Sequence, residues 1–424
     1  MANNFDSNVT RKLARIFLEK FESSRVLTKT VDTQLLSGRF NPSSGTTVDF
    51  KRPHDYKATR TSGGDISSSG KSDIISGKAT GTVQNFITVG MDYDVLDEAR
   101  KLDQLDMILA PAATRIVTEL ELSLGEFMIN NLGLSYGSVG TAVDAWGDVA
   151  GAGSLMDSLG VPRDNMWCYV MNPFTQQALA NAQGGLSAGS NRLVDNAWEN
   201  AQIANNFAGM RVMSSNSLKT RTNTTAADLA GTITGTPDVT YVTAKDTMTQ
   251  TVGVTGFSAS TVVKAGSIVE ITGKHHVSLA TREPILDSTG AKVKFRGVVT
   301  ADVTLGTAGE GNLVIAGPAI YEAAGAYNTT DAAIAASDVI TILGSTGAVL
   351  QPNLFYHKQA VGMGTVKLPK LHSTDTVATT SDGMSIRVSK YSDGDKNQQT
   401  VRFDLLPAFA CFNPFFGGQG YGVA

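Results

Sequence analysis

The feature that most restricts this chain is a long polar stretch, residues 38–87, with too few apolar side chains to bury a core of its own. Gly, Ser, Thr and Lys dominate it, as in Ser43-Ser44-Gly45-Thr46-Thr47, Arg60-Thr61-Ser62-Gly63-Gly64-Asp65 and Ser67-Ser68-Ser69-Gly70-Lys71. Short strand-like pieces, Thr47–Arg52 and Thr80–Val89, lie within it. Weak strands in so hydrophilic a segment predict a protruding two-stranded loop. With about twenty residues each way, at roughly 3.3 Å per residue, it would reach on the order of 65 Å. Such a loop is either a free surface feature or an arm laid over a neighbouring molecule. Among its basic residues, Lys51, Arg52, Lys57, Arg60 and Lys71 are correspondingly either a solvated face or partners for a neighbour's acidic groups.

A long helix is expected directly after this loop, an unusual order for an enzyme domain. Residues 94–132 read as helical, first Asp94–Leu109, then a restart at Pro111, a residue suited to a first helical turn. The second part, Ala112–Leu132, spans roughly 30 Å at about 1.5 Å per residue. Ahead of the loop, residues 7–23 place Val9, Leu13, Ile16, Phe17 and Phe21 on one helical stripe. Arg11, Lys12 and Arg15 fall off that stripe. This helix either packs on its own body or docks a partner.

Beyond residue 133, helices and strands alternate. Met166–Met171 reads as a buried strand ended by Asn172-Pro173, Thr175–Ala182 and Leu193–Ala201 as helices, and Phe207–Met213 as a strand. Near residue 222 the composition turns to Thr, Val, Gly and Ala. Within Lys292–Leu305, Val293, Phe295, Val299, Ala301, Val303 and Leu305 alternate with Lys292, Lys294, Arg296 and Asp302, the period of a half-buried strand. With Val262–Ile271, Leu313–Tyr321 and Val339–Leu343, this predicts a small antiparallel barrel or sandwich inserted in a mixed host that resumes near 350. Ser385–Tyr391 and Gln399–Leu406 form a hairpin joined through an Asp-Gly turn, and the apolar 411–418 tail is expected to be buried.

At 424 residues the chain predicts two or more domains. Its 35 Lys and Arg against 39 Asp and Glu, net −4, argue against a dedicated nucleic-acid binder. Two distant cysteines, Cys168 and Cys411, fit a reducing compartment rather than a disulfide framework. No basic-then-apolar signal pattern and no membrane-length apolar run are present, which predicts a soluble intracellular product. Phosphate-loop, zinc-protease and nucleophile-elbow motifs are absent. His275-His276 make a poor chelate on a strand, and Asp393-Gly394-Asp395 lacks the remaining ligands of a calcium loop. No catalytic residue, cofactor or metal is therefore assigned.

An ordered set of segments resembles the major coat proteins of short-tailed phages in the Salmonella-phage coat family. It comprises Ile75-Ser76-Gly77-Lys78-Ala79-Thr80-Gly81, Met171-Asn172-Pro173, Trp198-Glu199-Asn200-Ala201-Gln202-Ile203 followed by Phe207-Ala208-Gly209-Met210-Arg211-Val212, Pro352-Asn353-Leu354-Phe355-Tyr356 and Arg402-Phe403-Asp404-Leu405-Leu406-Pro407. Over 223–349 only the strand pattern and Val263-Lys264-Ala265-Gly266 match. The resemblance implies an α+β Hong-Kong-phage-like capsid fold with a long spine helix, an extended β-hairpin loop and an inserted telokin-like all-β barrel. It divides the chain into an N-terminal arm (1–37), the extended loop (38–92), the spine helix and peripheral domain (93–133), an axial domain (134–222, returning at 350–372), the inserted barrel (223–349) and a peripheral return (373–424). It also implies a non-enzymatic subunit of hexamers and pentamers in an icosahedral virion shell, assembled in the bacterial cytoplasm. Its implied partners are a scaffolding protein, a portal protein and double-stranded DNA bound without sequence specificity, and no membrane. Lys51, Arg52, Lys57, Arg60 and Lys71 become candidates for inter-subunit contact, and Arg11, Lys12 and Arg15 for scaffold contact. Another self-assembling subunit, such as a phage tail-tube or bacterial surface-layer protein, is the alternative.

Overall fold

The computed structural model describes residues 6–33, 47–52, 56, 58, 60–67, 71, 73–94, 105–184, 200–201, 203–237, 239–323, 327–372, 375–393 and 398–423. They form two compact units. One comprises Met1–Asp49, Gly81–Gly125 and Val361–Ala410; the other comprises Phe50–Thr80, Glu126–Ala360 and Cys411–Ala424.

In the first unit, helix α1 (Asp6–Ser24) buries Leu13, Ala14, Phe17 and Phe21, the stripe its spacing predicts. Phe17 stacks on Phe403 with ring centroids 4.3 Å apart. Phe403 belongs to an antiparallel sheet ordered Thr376–Thr379, Ser385–Asp393, Gln398–Leu405, Ile87–Asp94. Asp404 is fully buried in that sheet. It accepts hydrogen bonds from Arg387 Nη2 (2.6 Å), Arg402 Nε (2.7 Å) and Thr88 Oγ1 (2.7 Å). Burial opposes its ionisation, but these donors together outweigh it and hold the carboxyl below the usual range.

Two expectations change here. The single return strand Thr80–Val89 is two strands, Lys78–Val83 and Ile87–Asp94, and the second pairs along its whole length with Gln398–Leu405. Asp94 therefore ends a strand rather than starting a helix. Helix α2 (Leu105–Asn131) then runs through Pro111 without restarting. Proline removes one amide donor, and the turns that follow it bury a stripe at Ala113, Ile116, Leu120 and Leu124.

In the second unit, a six-stranded mixed sheet is ordered Leu134–Tyr136, Gly417–Gly420, Asn353–His357, Trp167–Met171, Met210–Ser214, Asn206–Phe207. Helices α3 (Trp146–Leu159) and α4 (Pro173–Gly184) belong to this unit, and Met156 and Leu179 share a core with Trp167, Tyr169 and Phe355. The expected strand Phe207–Met213 folds back on itself, because Ala208 (φ 51°) and Gly209 (φ 78°) form a tight turn between two short strands. Residues 193–199 and 394–397, where a helix and a hairpin turn are expected, lie outside the described residues.

The inserted segment contains a closed barrel ordered Thr249–Thr255, Gly311–Ala316, Lys294–Val299, Ile268–His275, Val339–Ile342, Ala230–Thr234. Phe295, Val299, Leu305, Leu313, Ile315, Ile340 and Val252 fill its core. The alternation expected over Lys292–Leu305 holds at Phe295, Val299 and Leu305. It fails at Ala301, which is exposed between the strands Lys294–Val299 and Val303–Thr304, and at Val298, which is buried with Ile268 and Tyr421 in a separate apolar cluster. The segment leaves and rejoins its host through paired strands, Thr222 opposite Val349 and Arg221 opposite Leu350.

Candidate assembly surfaces

The polar ribbon is rooted in the second unit. Phe50 packs edge-on against Phe412, with ring centroids 5.5 Å apart. Arg52 is buried: its backbone N–H donates to Gly77 O (2.8 Å), Nε to Lys78 O (3.1 Å) and Nη1 to Phe412 O. Burial lowers the pKa of this guanidinium, against the opposing fields of Cys411, Tyr241 and Asp246. On the returning side, Lys78 N–H donates to Asp246 Oδ1 (3.1 Å) and Lys245 Nζ to Ser76 O (3.2 Å). Gly77 admits the close approach; a Cβ there would lie 2.7 Å from Lys245 O.

Beyond this root, every described residue from Tyr56 to Ser76 is exposed except the half-buried Ile75. Arg60 and Lys71 are among the exposed residues, as is Lys51 at the root; Lys57 lies outside the described residues. Arg52 differs from the others grouped with it. Its guanidinium is spent within its own chain, on carbonyls that burial leaves in need of donors. The ribbon also carries the exposed apolar side chains Tyr56, Ile66 and Ile74.

On α1, Arg11, Lys12 and Arg15 are all exposed, opposite the buried stripe. The helix continues into a buried Arg25, which pairs with Asp382 and lies over the Phe21 ring at 5.6 Å.

Reactive groups elsewhere are structurally engaged. His357 is buried, with Nε2 2.9 Å from Asp164 Oδ1. His275 and His276 face different surroundings, as adjacent strand residues do. His275 Nδ1 meets Asp331 Oδ2 at 2.9 Å, whereas His276 is buried beside Phe295. Burial pushes the Cys168 thiol up to about 11 and the Cys411 thiol to about 12, so neither is a thiolate near neutral pH. Among the described residues, no group of three or more His, Cys, Asp or Glu is placed to hold a metal ion, and no helix is long and apolar enough to cross a membrane.

Two exposed aromatics escaped the sequence reading. Trp146 opens α3, a helix rich in alanine and glycine with little amphipathic signal. Phe174 lies just inside α4, next to Pro173. The signals available were an aromatic beside a helix-starting proline and a tryptophan at a loop-to-helix boundary.

A rooted polar ribbon, a long helix and a barrel carried as an insertion define a coat-type building block, a protein whose working parts are surfaces. The chain belongs to the P22 coat protein (gene protein 5) family, whose model matches residues 1–422. It is 43% identical over 427 residues to the major capsid protein of Acyrthosiphon pisum secondary endosymbiont phage 1, covering 100% of each chain. Among solved structures it is similar to a chain of Mycobacterium phage Che8, at 11% identity and TM-score 0.46, covering 93% of this chain and 90% of that one. It is also similar to the capsid of cyanophage P-SCSP1u, at 12% identity and TM-score 0.44, covering 95% and 88%. The protein is thus a phage major capsid protein, a structural component of the virion shell and not an enzyme.

Proposed function

We propose that this chain assembles with a scaffolding protein into an icosahedral procapsid of hexamers and pentamers, incorporates a portal protein, and matures into the shell around double-stranded DNA. Assembly takes place in the host bacterial cytoplasm, and the DNA is held without sequence specificity. The observation that carries this reading is the rooted ribbon. A segment whose described residues are almost all exposed cannot stabilise its own molecule, yet Arg52, Gly77 and Lys78 fix both of its ends. Its apolar Tyr56, Ile66 and Ile74 and its cations Lys51, Lys57, Arg60 and Lys71 are then surface for a neighbouring copy. Arg52 serves instead as the anchor. Arg11, Lys12 and Arg15 offer a basic face for scaffold contact.

In this reading α2 is the spine, residues 134–222 and 350–372 form the axial domain, and the closed barrel is the telokin-like module. Each copy is held by many neighbours, so individually weak contacts suffice and misplaced copies can leave. A near-neutral chain, net −4, also leaves packed DNA mobile. Co-expression with the scaffolding protein tests the proposal. Uniform closed shells in electron micrographs are expected; chains that stay monomeric with scaffold under all conditions refute it.

A further inference from the structure

Resting on the shell reading above, the geometry of the second unit points to one specific contact between copies. A cavity of about 460 Å³ lies beside α3. Its floor is built from small residues, Ala150, Gly153 and Ser154 on α3 and Ala208 and Gly209 at the tight turn. One wall is Trp146, which is 61% exposed. Another is the Arg163–Asp157 pair, with Nη1 to Oδ2 at 3.5 Å. Arg163 is itself held, its guanidinium lying 5.4 Å from the Trp167 ring centroid. Gly209 leaves room for it, since a Cβ there would fall 2.7 Å from Arg163 Nη2. The result is a preformed slot with an aromatic wall, a cation and a floor almost free of side chains, chemistry that suits an aromatic ring.

The same unit supplies a matching knob. Phe174 is 80% exposed, the largest exposure among the described large apolar residues. Its backbone is also fixed. Pro173 opens α4, and Asn172 Oδ1 accepts the Phe174 N–H at 2.8 Å. A large aromatic so exposed on a fixed backbone has the character of an interface anchor. Phe174 does not line the slot of its own chain.

We propose that the slot beside Trp146 receives Phe174 of an adjacent copy. The slot holds a benzyl group together with part of the helical turn that carries it. Knob and slot are different surfaces of one chain, so the contact can repeat head to tail from copy to copy, as rings require.

The test uses full-length chain with its scaffolding protein. Phe174→Ala is expected to raise the concentration needed for shell assembly about 30-fold, the loss typical of an interface anchor. Ser154→Trp, which fills the slot, should do the same, and Phe174→Leu should restore part of the loss. Circular dichroism and urea unfolding of the monomers separate assembly defects from misfolding. Directly, Ser154→Cys with Gln177→Cys, one helical turn from an intact Phe174, treated with a short bis-maleimide should give a ladder of linked copies on denaturing gels, from assembled shells and not from monomers. Cys168 is buried and the half-buried Cys411 thiol stays protonated near neutral pH; the chain without the two added cysteines sets the background. Shells that form at the wild-type threshold with Phe174→Ala, or that cross-link only within one copy or to a different protein, overturn the contact while leaving the coat function intact. Wild-type chain that never forms shells overturns the coat reading and the contact with it.

Discussion

His276 offers the most direct link between structure and a measurable pH effect. Its ring is 2% exposed and tilted against Phe295, with centroids 4.9 Å apart. Nε2 accepts the Arg296 backbone N–H at 3.3 Å, which puts the ring's remaining proton on Nδ1, and Nδ1 has no hydrogen-bond partner. Burial first, and the charge of Arg296 second, push its pKa down to about 3. An unfolded histidine titrates near 6.5. Between those values the unfolded chain binds a proton that the folded chain refuses, so stability falls as pH falls. At pH 5, about 1.5 units below 6.5, one such group costs about 2 kcal/mol relative to pH above 7. His276→Gln keeps an acceptor for Arg296 N–H and cannot titrate. Urea unfolding of the monomeric chain, followed by circular dichroism at pH 7 and pH 5, should show a wild-type loss larger than the variant's by about 2 kcal/mol. Equal losses in the two proteins would refute the assignment, as would a His276 ring resonance that titrates near pH 6.5 in the folded protein.

Three further outcomes are expected. Asp404→Ala leaves the buried Arg387 without its counter-ion and should destabilise the first unit by about 3–5 kcal/mol in urea, with Asp404→Asn milder. The depressed Asp404 carboxyl contributes stability above the ordinary carboxylate pKa near 3.9, lost as pH falls through its lower folded value, so this variant should have a shallower acid unfolding curve below pH 4. Gly77→Ala forces the ribbon root away from Lys245 O and should cost about 1–3 kcal/mol locally, read as faster hydrogen exchange of the Arg52 amide. Residues 223–349 expressed alone should give a β-type spectrum and cooperative unfolding, because their barrel closes on its own apolar interior; a disordered peptide would refute that autonomy.

What could be read from the sequence was whatever repeats locally. Leu13, Phe17 and Phe21 announce α1, and Phe295, Val299 and Leu305 announce a barrel strand, because a period of 3.6 or 2 is visible within a few residues. Val298 breaks the alternation because the outer side of its strand is covered by Tyr421, far along the chain. Helix α3 was hidden by its glycines. Gly151 is there because the Tyr136 ring lies against the helix, where a Cβ would fall 1.9 Å from its hydroxyl. The site residues follow the same rule. Lys51, Arg60 and Lys71 read as exposed basics because nothing nearby could bury them. Arg52, one residue from Lys51, turns inward for a carbonyl at Phe412 that no local pattern encodes.

The strand pair that closes the insertion has a practical consequence. Thr222 and Val349 are cross-strand partners, so more than a hundred intervening residues bridge a gap of one strand spacing, about 5 Å. To the host, the whole barrel is topologically a short turn. A foreign domain with adjacent termini grafted at that joint would leave the host's connectivity unaltered, making each copy a socket for chosen cargo.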